Sequence, residues 1–128
     1  IAAMAGNVGV QSSAIVVQGL ANNSITGSLW NRLLKELSLS LLNGSILAGI
    51  LILGSHFLLG YEFIIGITVS IALLSVIVIA SLIGTFIPIV LDKYGVDPAL
   101  ATGPFITTSN DIIGIIIYFT IAKLVLGI

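Results

Sequence analysis

Residues 63–91 run for 29 positions without one charged side chain, and that run dictates the solvent in which this chain folds. As a helix it measures about 43 Å, more than the roughly 30 Å of a bilayer's hydrocarbon core, so it must tilt or project beyond it. The remainder has the same character. Four basic and five acidic side chains among 128 residues fall far below the roughly one in four of a soluble domain. The fold class expected is therefore all-α, a polytopic bundle of transmembrane helices, because a helix satisfies its own backbone in lipid. A net charge of -1 without a basic run gives no electrostatic ground for a nucleic-acid partner. The absence of cysteine excludes disulfides, thiolate metal sites and cysteine nucleophiles.

Four spans are expected. The first, about 1–21, mixes aliphatic residues with Gly6, Asn7, Gly9, Gln11, Ser12, Ser13 and Gln18, too polar to face lipid and uncharged enough for an interior. Gly6, Gly9 and Ser13 make a small-residue stripe for close packing, and Asn7, Gln11 and Gln18 a neighbouring stripe of amides. After a polar turn at Asn22, Asn23, Ser24, Thr26 and Gly27, the segment around Trp30, Arg32, Lys35 and Glu36 reads as a short amphipathic interfacial helix. A second span at 39–59 follows, then the third at 63–91, which Pro88 is expected to kink or end. A turn at Asp92, Lys93, Tyr94, Gly95, Asp97 and Pro98 leads to the fourth, about 99–126.

Arg32, Lys35 and Lys93 sit in the first and third connections, while the second carries Glu62 and His56 but no Lys or Arg. By the positive-inside rule the first and third loops are cytoplasmic and the C-terminus lies outside, with Lys123 snorkelling to headgroups. The opening IAAMAGNVGVQ has no initiator Met and no charged stretch ahead of an apolar one, so it reads as the middle of a helix rather than a signal peptide. The expectation is one membrane domain, residues 1–128, cut from a longer protein with at least one helix before it.

Asp111 is the residue that asks for a function. It stands alone in ITTSNDIIGIIIYFTIA, inside a spanning segment, where an unpaired carboxylate is costly and must face protein, water or a cation. Gly103, Thr107, Asp111, Gly114 and Tyr118 are spaced by 4, 4, 3 and 4 and share one face, with Thr108 and Asn110 flanking it. Pro104, read as lying inside the first turns, is expected to free the carbonyl of Leu100 while Gly103 thins the wall. One carboxylate, hydroxyls, an amide and freed carbonyls are hard oxygen donors of the kind Mg2+, Ca2+ and Mn2+ accept, and a symmetric pair of Asp111 carboxylates across a dimer axis would hold such an ion. The metal-ligating set is thus Asp111, Thr107, Asn110 and Thr108. A structural Asp satisfied by Asn110 or a hydroxyl is the competing reading.

Blander roles suit the other polar groups. His56 and Glu62 read as solvated at the outer interface, and Asp92 and Asp97 as shaping the inner turn and capping the next helix, with an inner cation site as the alternative. A non-conducting scaffold needs only the Gly and Ser stripes and leaves the acid unexplained. An intramembrane aspartyl protease needs two acids where this chain offers one, and the one His lies at an outer end.

Two stretches, AGNVGVQSS and YGVDPALATGPFITTSNDIIGIIIYFTIA, resemble the membrane domain of the MgtE magnesium channel and transporter family. The first departs from the family's Gly-Gly-Asn-x-Gly-x-Gln motif only in Ala5. The resemblance covers essentially the whole chain and implies a homodimer of five-helix subunits whose pore is lined by the second and fifth helices. The four spans here then match helices two to five. It implies that the family's pore aspartate falls on Asp111 and that Gly6, Asn7 and Gly9 line the pore from the partner helix; Gln11 of the first span and Gly103 and Gly114 of the fourth are also expected to line it. It further implies a cytoplasmic sensor with paired CBS modules in bacterial members, which these 128 residues do not contain. The function expected is passage of Mg2+, with Mn2+, Co2+ or Ca2+ as alternatives, driven inward by the membrane potential at about 4.6 kcal/mol per 100 mV for a divalent ion. The partners expected are a second copy, membrane lipid and divalent cations. No Gly-rich phosphate loop is present, and no enzymatic activity is expected.

Overall fold

A computed structural model describes residues 1–22, 27–101 and 103–128; the side chains of 27–29 and 101 are also outside the description. The described residues form four long helices and one short 3-10 turn: α1 Ala2–Ala21, α2 Gly27–Phe57, α3 Phe63–Lys93, the 3-10 turn Pro98–Ala101 and α4 Pro104–Leu126. Three of them are long and apolar enough to cross a membrane, over Trp30–Phe57, Phe63–Lys93 and Pro104–Leu126. In α1 the amides and serines lower the hydropathy below that of a lipid-facing helix.

The helix α3 is the hub. It packs on α1, α2 and α4, and α1 also packs on α4, whereas among the described residues α2 makes no contact with α4. Its buried positions include Gly66, Ser70, Leu73, Ile77, Ala80, Gly84 and Pro88, three or four residues apart, with Ser81 beside them, so the most apolar helix turns many of its small and hydroxyl-bearing groups inward. Small residues let backbones approach, and hydroxyls bridge helices where lipid offers no competing partner. The Ser70 hydroxyl donates to the Ala48 carbonyl of α2 at 3.1 Å, and Ser12 of α1 and Ser81 of α3 share a hydrogen bond of 3.4 Å. Between them, Ala5 and Val8 of α1 close on Leu73, Val76, Ile77 and Ala80.

Three expectations about helix boundaries require correction. The amphipathic segment and the second span are one unbroken helix of 31 residues, because Leu39, Leu41 and Leu42 continue the apolar stripe and no breaker separates them from Trp30. The third helix passes Pro88 and runs to Lys93. A single proline removes one intrahelical donor, and what stops the helix is Gly95, at φ 75°. There the Val96 N–H returns to the Leu91 carbonyl at 2.9 Å, closing the turn as a C-terminal glycine does. The fourth helix begins at Pro104, not near 99, with Gly103 as its N-cap at φ 54°. Proline in the first turn has no bond to lose, so no helical carbonyl is freed at Leu100, which lies in the 3-10 turn. The turn foreseen at Asn23, Ser24 and Thr26 lies outside the described residues.

The chain runs up and down, so one end of the bundle collects the end of α1, the start of α2, the end of α3 and the 3-10 turn. Val17, Leu20 and Ala21 meet Asp92, Asp97 and Pro98 around a small hollow there. Asp97 accepts the Ala99 N–H at 3.0 Å at the start of the 3-10 turn, whereas α4, the helix it was expected to cap, has Gly103 as its N-cap. The opposite end holds the α2–α3 hairpin. His56 there stacks on Phe63 with centroids 3.7 Å apart, and its Nδ1 lies 2.9 Å from the Tyr61 carbonyl.

Candidate functional site

Along α1, the residues buried against the bundle are Ala5, Gly6, Val8, Gly9, Ser12, Ser13, Ile15, Val16 and Gly19. The opposite face, Ala3, Asn7, Gln11, Ala14, Gln18 and Ala21, is exposed. That division places the amide stripe outward on a helix whose neighbours are otherwise greasy. Beside it, α4 brings Thr107 and Asp111, both half-buried. Between the two helices lies a groove of about 640 Å³, lined by Ala2, Ala3, Gly6, Asn7, Val10, Gln11, Thr107 and Asp111.

The groove gathers a carboxylate, a hydroxyl and two side-chain amides on walls of alanine, glycine and valine, oxygen donors of the kind that hard cations accept. Gly6 is where the walls meet, since a Cβ there would lie 3.7 Å from the Thr107 methyl. Thr107 Oγ1 donates to the Gly103 carbonyl at 3.1 Å, leaving its lone pairs available as acceptors. Among the described residues no three His, Asp or Glu side chains converge. The groove therefore offers one carboxylate per chain.

The sequence-predicted residues separate into groups here. Asp111, Thr107, Gly6, Asn7 and Gln11 come together on the groove. Thr108 lies on an exposed part of α4, and Gly103 sits half-buried at the helix start. Gly114 turns toward α3, where a Cβ would lie 3.4 Å from Val76 Cγ1, and with Ile1, Ala2, Ile115, Tyr118 and Phe119 it also borders an apolar hollow continuing the α1–α4 seam. Gly9 and Asn110 lie behind the groove. Asn110 is 2% exposed, and its Nδ2 donates to the Ala5 carbonyl of α1 at 3.4 Å. Its Oδ1 has no hydrogen-bond partner among the described residues.

Sequence reasoning did not single out Val10, although its place beside Asn7 and Ala14 follows from helical spacing, nor the company Arg32 and Glu36 keep. With Gln11, Ala14, Gln18 and Ala99 those two line a second hollow of about 690 Å³ toward the charged end. Gln11 borders both hollows, so a polar trough follows α1 for most of its roughly 30 Å length.

Comparison with known proteins adds to this geometry. Residues 1–121 match the MgtE family, described as a divalent cation transporter. The chain belongs to the MgtE family. It is 38% identical over 125 residues to the magnesium transporter MgtE of Enterococcus faecalis, covering 97% of this chain and 27% of that protein. It is 37% identical over 123 residues to the magnesium transporter MgtE of Bacillus subtilis, at 95% and 27% coverage. The MgtE protein of Thermus thermophilus, likewise a magnesium transporter, is 34% identical over 122 residues, at 94% and 27%. The chain thus spans about a quarter of the length of these curated relatives. The MgtE family is one of transporters and not of enzymes, which leaves the aspartyl-protease reading without support, and its membership agrees with the apolar helices in making this an integral membrane chain.

Proposed function

We propose that this chain is the permeation domain of a divalent-cation transporter with Mg2+ as its cargo, and that Asp111 is the intramembrane ion ligand. The observation that carries the reading is the groove itself: a carboxylate, a threonine hydroxyl and two amides share an open trough between α1 and α4, on a bundle that exposes many large apolar side chains elsewhere. Half a pore is what one copy supplies. A second copy facing the first completes it, with all four helices crossing the bilayer, Asp111 and Thr107 ligating, and Gly6, Asn7 and Gln11 lining the path. The charged end faces the cytoplasm and the C-terminus the outside.

Mg2+ dehydrates reluctantly and is commonly held by one or two carboxylates with several waters retained. Two Asp111 side chains with amides set back from them suit a hydrated ion. The inside-negative potential supplies the driving force, and among the described residues that line the groove Asp111 is the one acid, with no second beside it to couple a proton or sodium ion. Passage is channel-like. Mn2+, Co2+ and Ca2+ accept the same donors, and the width of the completed pore discriminates among them.

The deciding experiment is Mg2+ flux into liposomes carrying the full-length protein, beside Asp111→Asn, which keeps shape and removes charge. Loss of flux in a variant that still assembles as a dimer is the expected result. Flux equal to that of wild type would reduce Asp111 to a structural residue.

A further inference from the structure

We propose that Asn110 is a positioning residue that sets the spacing of α1 and α4 at the Asp111 groove, and that it does so from behind the groove without touching the ion. The inference rests on the permeation reading given above.

Three observations carry it. The first is direction. Asn110 immediately precedes Asp111 on α4, but its side chain is buried and is not among the groove's lining residues; its NH2 end reaches back to the Ala5 carbonyl. A carbonyl accepts only from the NH2 end of an amide, so the partner fixes which way the carboxamide faces. The second is fit. Gly9 lies one turn beyond Ala5, and a Cβ there would overlap Asn110 Nδ2 and stand 2.9 Å from Ile106 Cγ2. The missing side chain leaves a notch in α1 that uncovers the Ala5 carbonyl, and α4 seats its amide in that notch. The third is proximity. Ala5 adjoins Gly6, and Asn110 adjoins Asp111, so each end of the tie is one residue from a group that lines the groove.

The tie joins one long hydrogen bond to a close fit. Oδ1 finds no donor among the described residues, so the carboxamide is held by that bond and by the walls of the notch. Removing it takes no oxygen out of the groove. Any change in ion handling must then pass through the separation of the two helices, and a sub-ångström change there alters how Asp111 meets a hydrated ion.

The test uses the full-length protein in liposomes, with flux measured against Mg2+ concentration and the Mg2+ to Ca2+ flux ratio taken alongside. Asn110→Leu keeps the volume and removes the donor; Asn110→Ala empties the notch. Each is expected to raise the half-saturating Mg2+ concentration about 3- to 10-fold, the range of one hydrogen bond's worth, and to shift the ion ratio. Gly9→Ala is expected to harm the wild-type protein strongly and the Asn110→Ala protein much less, a coupling that independent residues do not show. Unchanged half-saturation and ion ratio in Asn110→Leu, or purely additive effects with Gly9→Ala, would overturn the proposal. Complete loss of saturable Mg2+ transport in Asn110→Leu, without coupling to Gly9, would make Asn110 an ion ligand instead. Undiminished flux in Asp111→Asn would sink the permeation reading itself, an outcome readable separately from any of these.

Discussion

Gly84 of α3 and Gly9 of α1 meet backbone to backbone: a methyl group on Gly84 would overlap the Gly9 carbonyl oxygen and lie 3.1 Å from both the Gly9 carbonyl carbon and its Cα. Neither wall of that contact is a side chain that can rotate away. Gly84→Ala therefore forces the helices apart, at a cost on the order of 1–3 kcal/mol or more. Purified in detergent, the variant should lose thermal stability by a clear margin. Gly49→Ala is the control, because nothing lies within 4 Å of a Cβ there, and alanine's helix preference should leave stability unchanged or raised by up to about 1 kcal/mol.

The trough along α1 makes a prediction about water. With no native cysteine in this sequence, single substitutions report cleanly. Asn7→Cys and Gln11→Cys should react quickly with a charged, membrane-impermeant thiol reagent applied from the side to which the trough opens. Phe119→Cys and Leu124→Cys, exposed on the apolar exterior of α4, should react slowly because lipid excludes the thiolate. Ala5→Cys and Val16→Cys, fully buried, should not react. Equal rates at Asn7 and Leu124 would refute an aqueous groove.

Ser70 offers a third measurement. Its hydroxyl reaches the Ala48 carbonyl across the α2–α3 seam, and hydrogen bonds of this kind in membranes contribute about 0.6 kcal/mol on average. Ser70→Ala should lower stability by roughly that amount and leave ion flux untouched, since α2 has no part in the groove. A large loss of flux would mean that α2 and α4 communicate.

The loop glycine Gly95 holds φ at 75°, a region costing an L-residue roughly 1–2 kcal/mol. Gly95→Ala should destabilise by about 1 kcal/mol in a thermal melt, more than Gly49→Ala, although both positions are open. If the two behaved alike, the helix stop would not depend on the left-handed turn.

Much of this molecule is written in periodicity. The apolar runs mark α2, α3 and α4, and the 4, 4, 3, 4 spacing does put Thr107 and Asp111 on one face, because helical geometry alone determines both. Boundaries were harder to read. Pro104 begins a helix that it was expected to lie within, and Pro88, expected to kink or end its helix, does not end it, since a proline's effect depends on whether the turn before it is already helical. Asn110 was unreadable for a deeper reason. Its direction depends on where α1 crosses α4, a non-local relation that no spacing along one helix encodes, and its sequence neighbour Asp111 points into the groove while it points behind.

The arrangement of α2 has a consequence for how this domain tolerates change. With α3 standing between α2 and α4, the exposed apolar surface of α2 lies away from the groove that holds Asp111. Leu34, Leu42, Ile46, Ile50 and Leu53 are thus free to drift among apolar residues and track membranes of different thickness. The thin seam of glycines and serines between α1, α3 and α4 has no such latitude, and adaptation to a new bilayer runs through a helix that contributes nothing to the Asp111 groove.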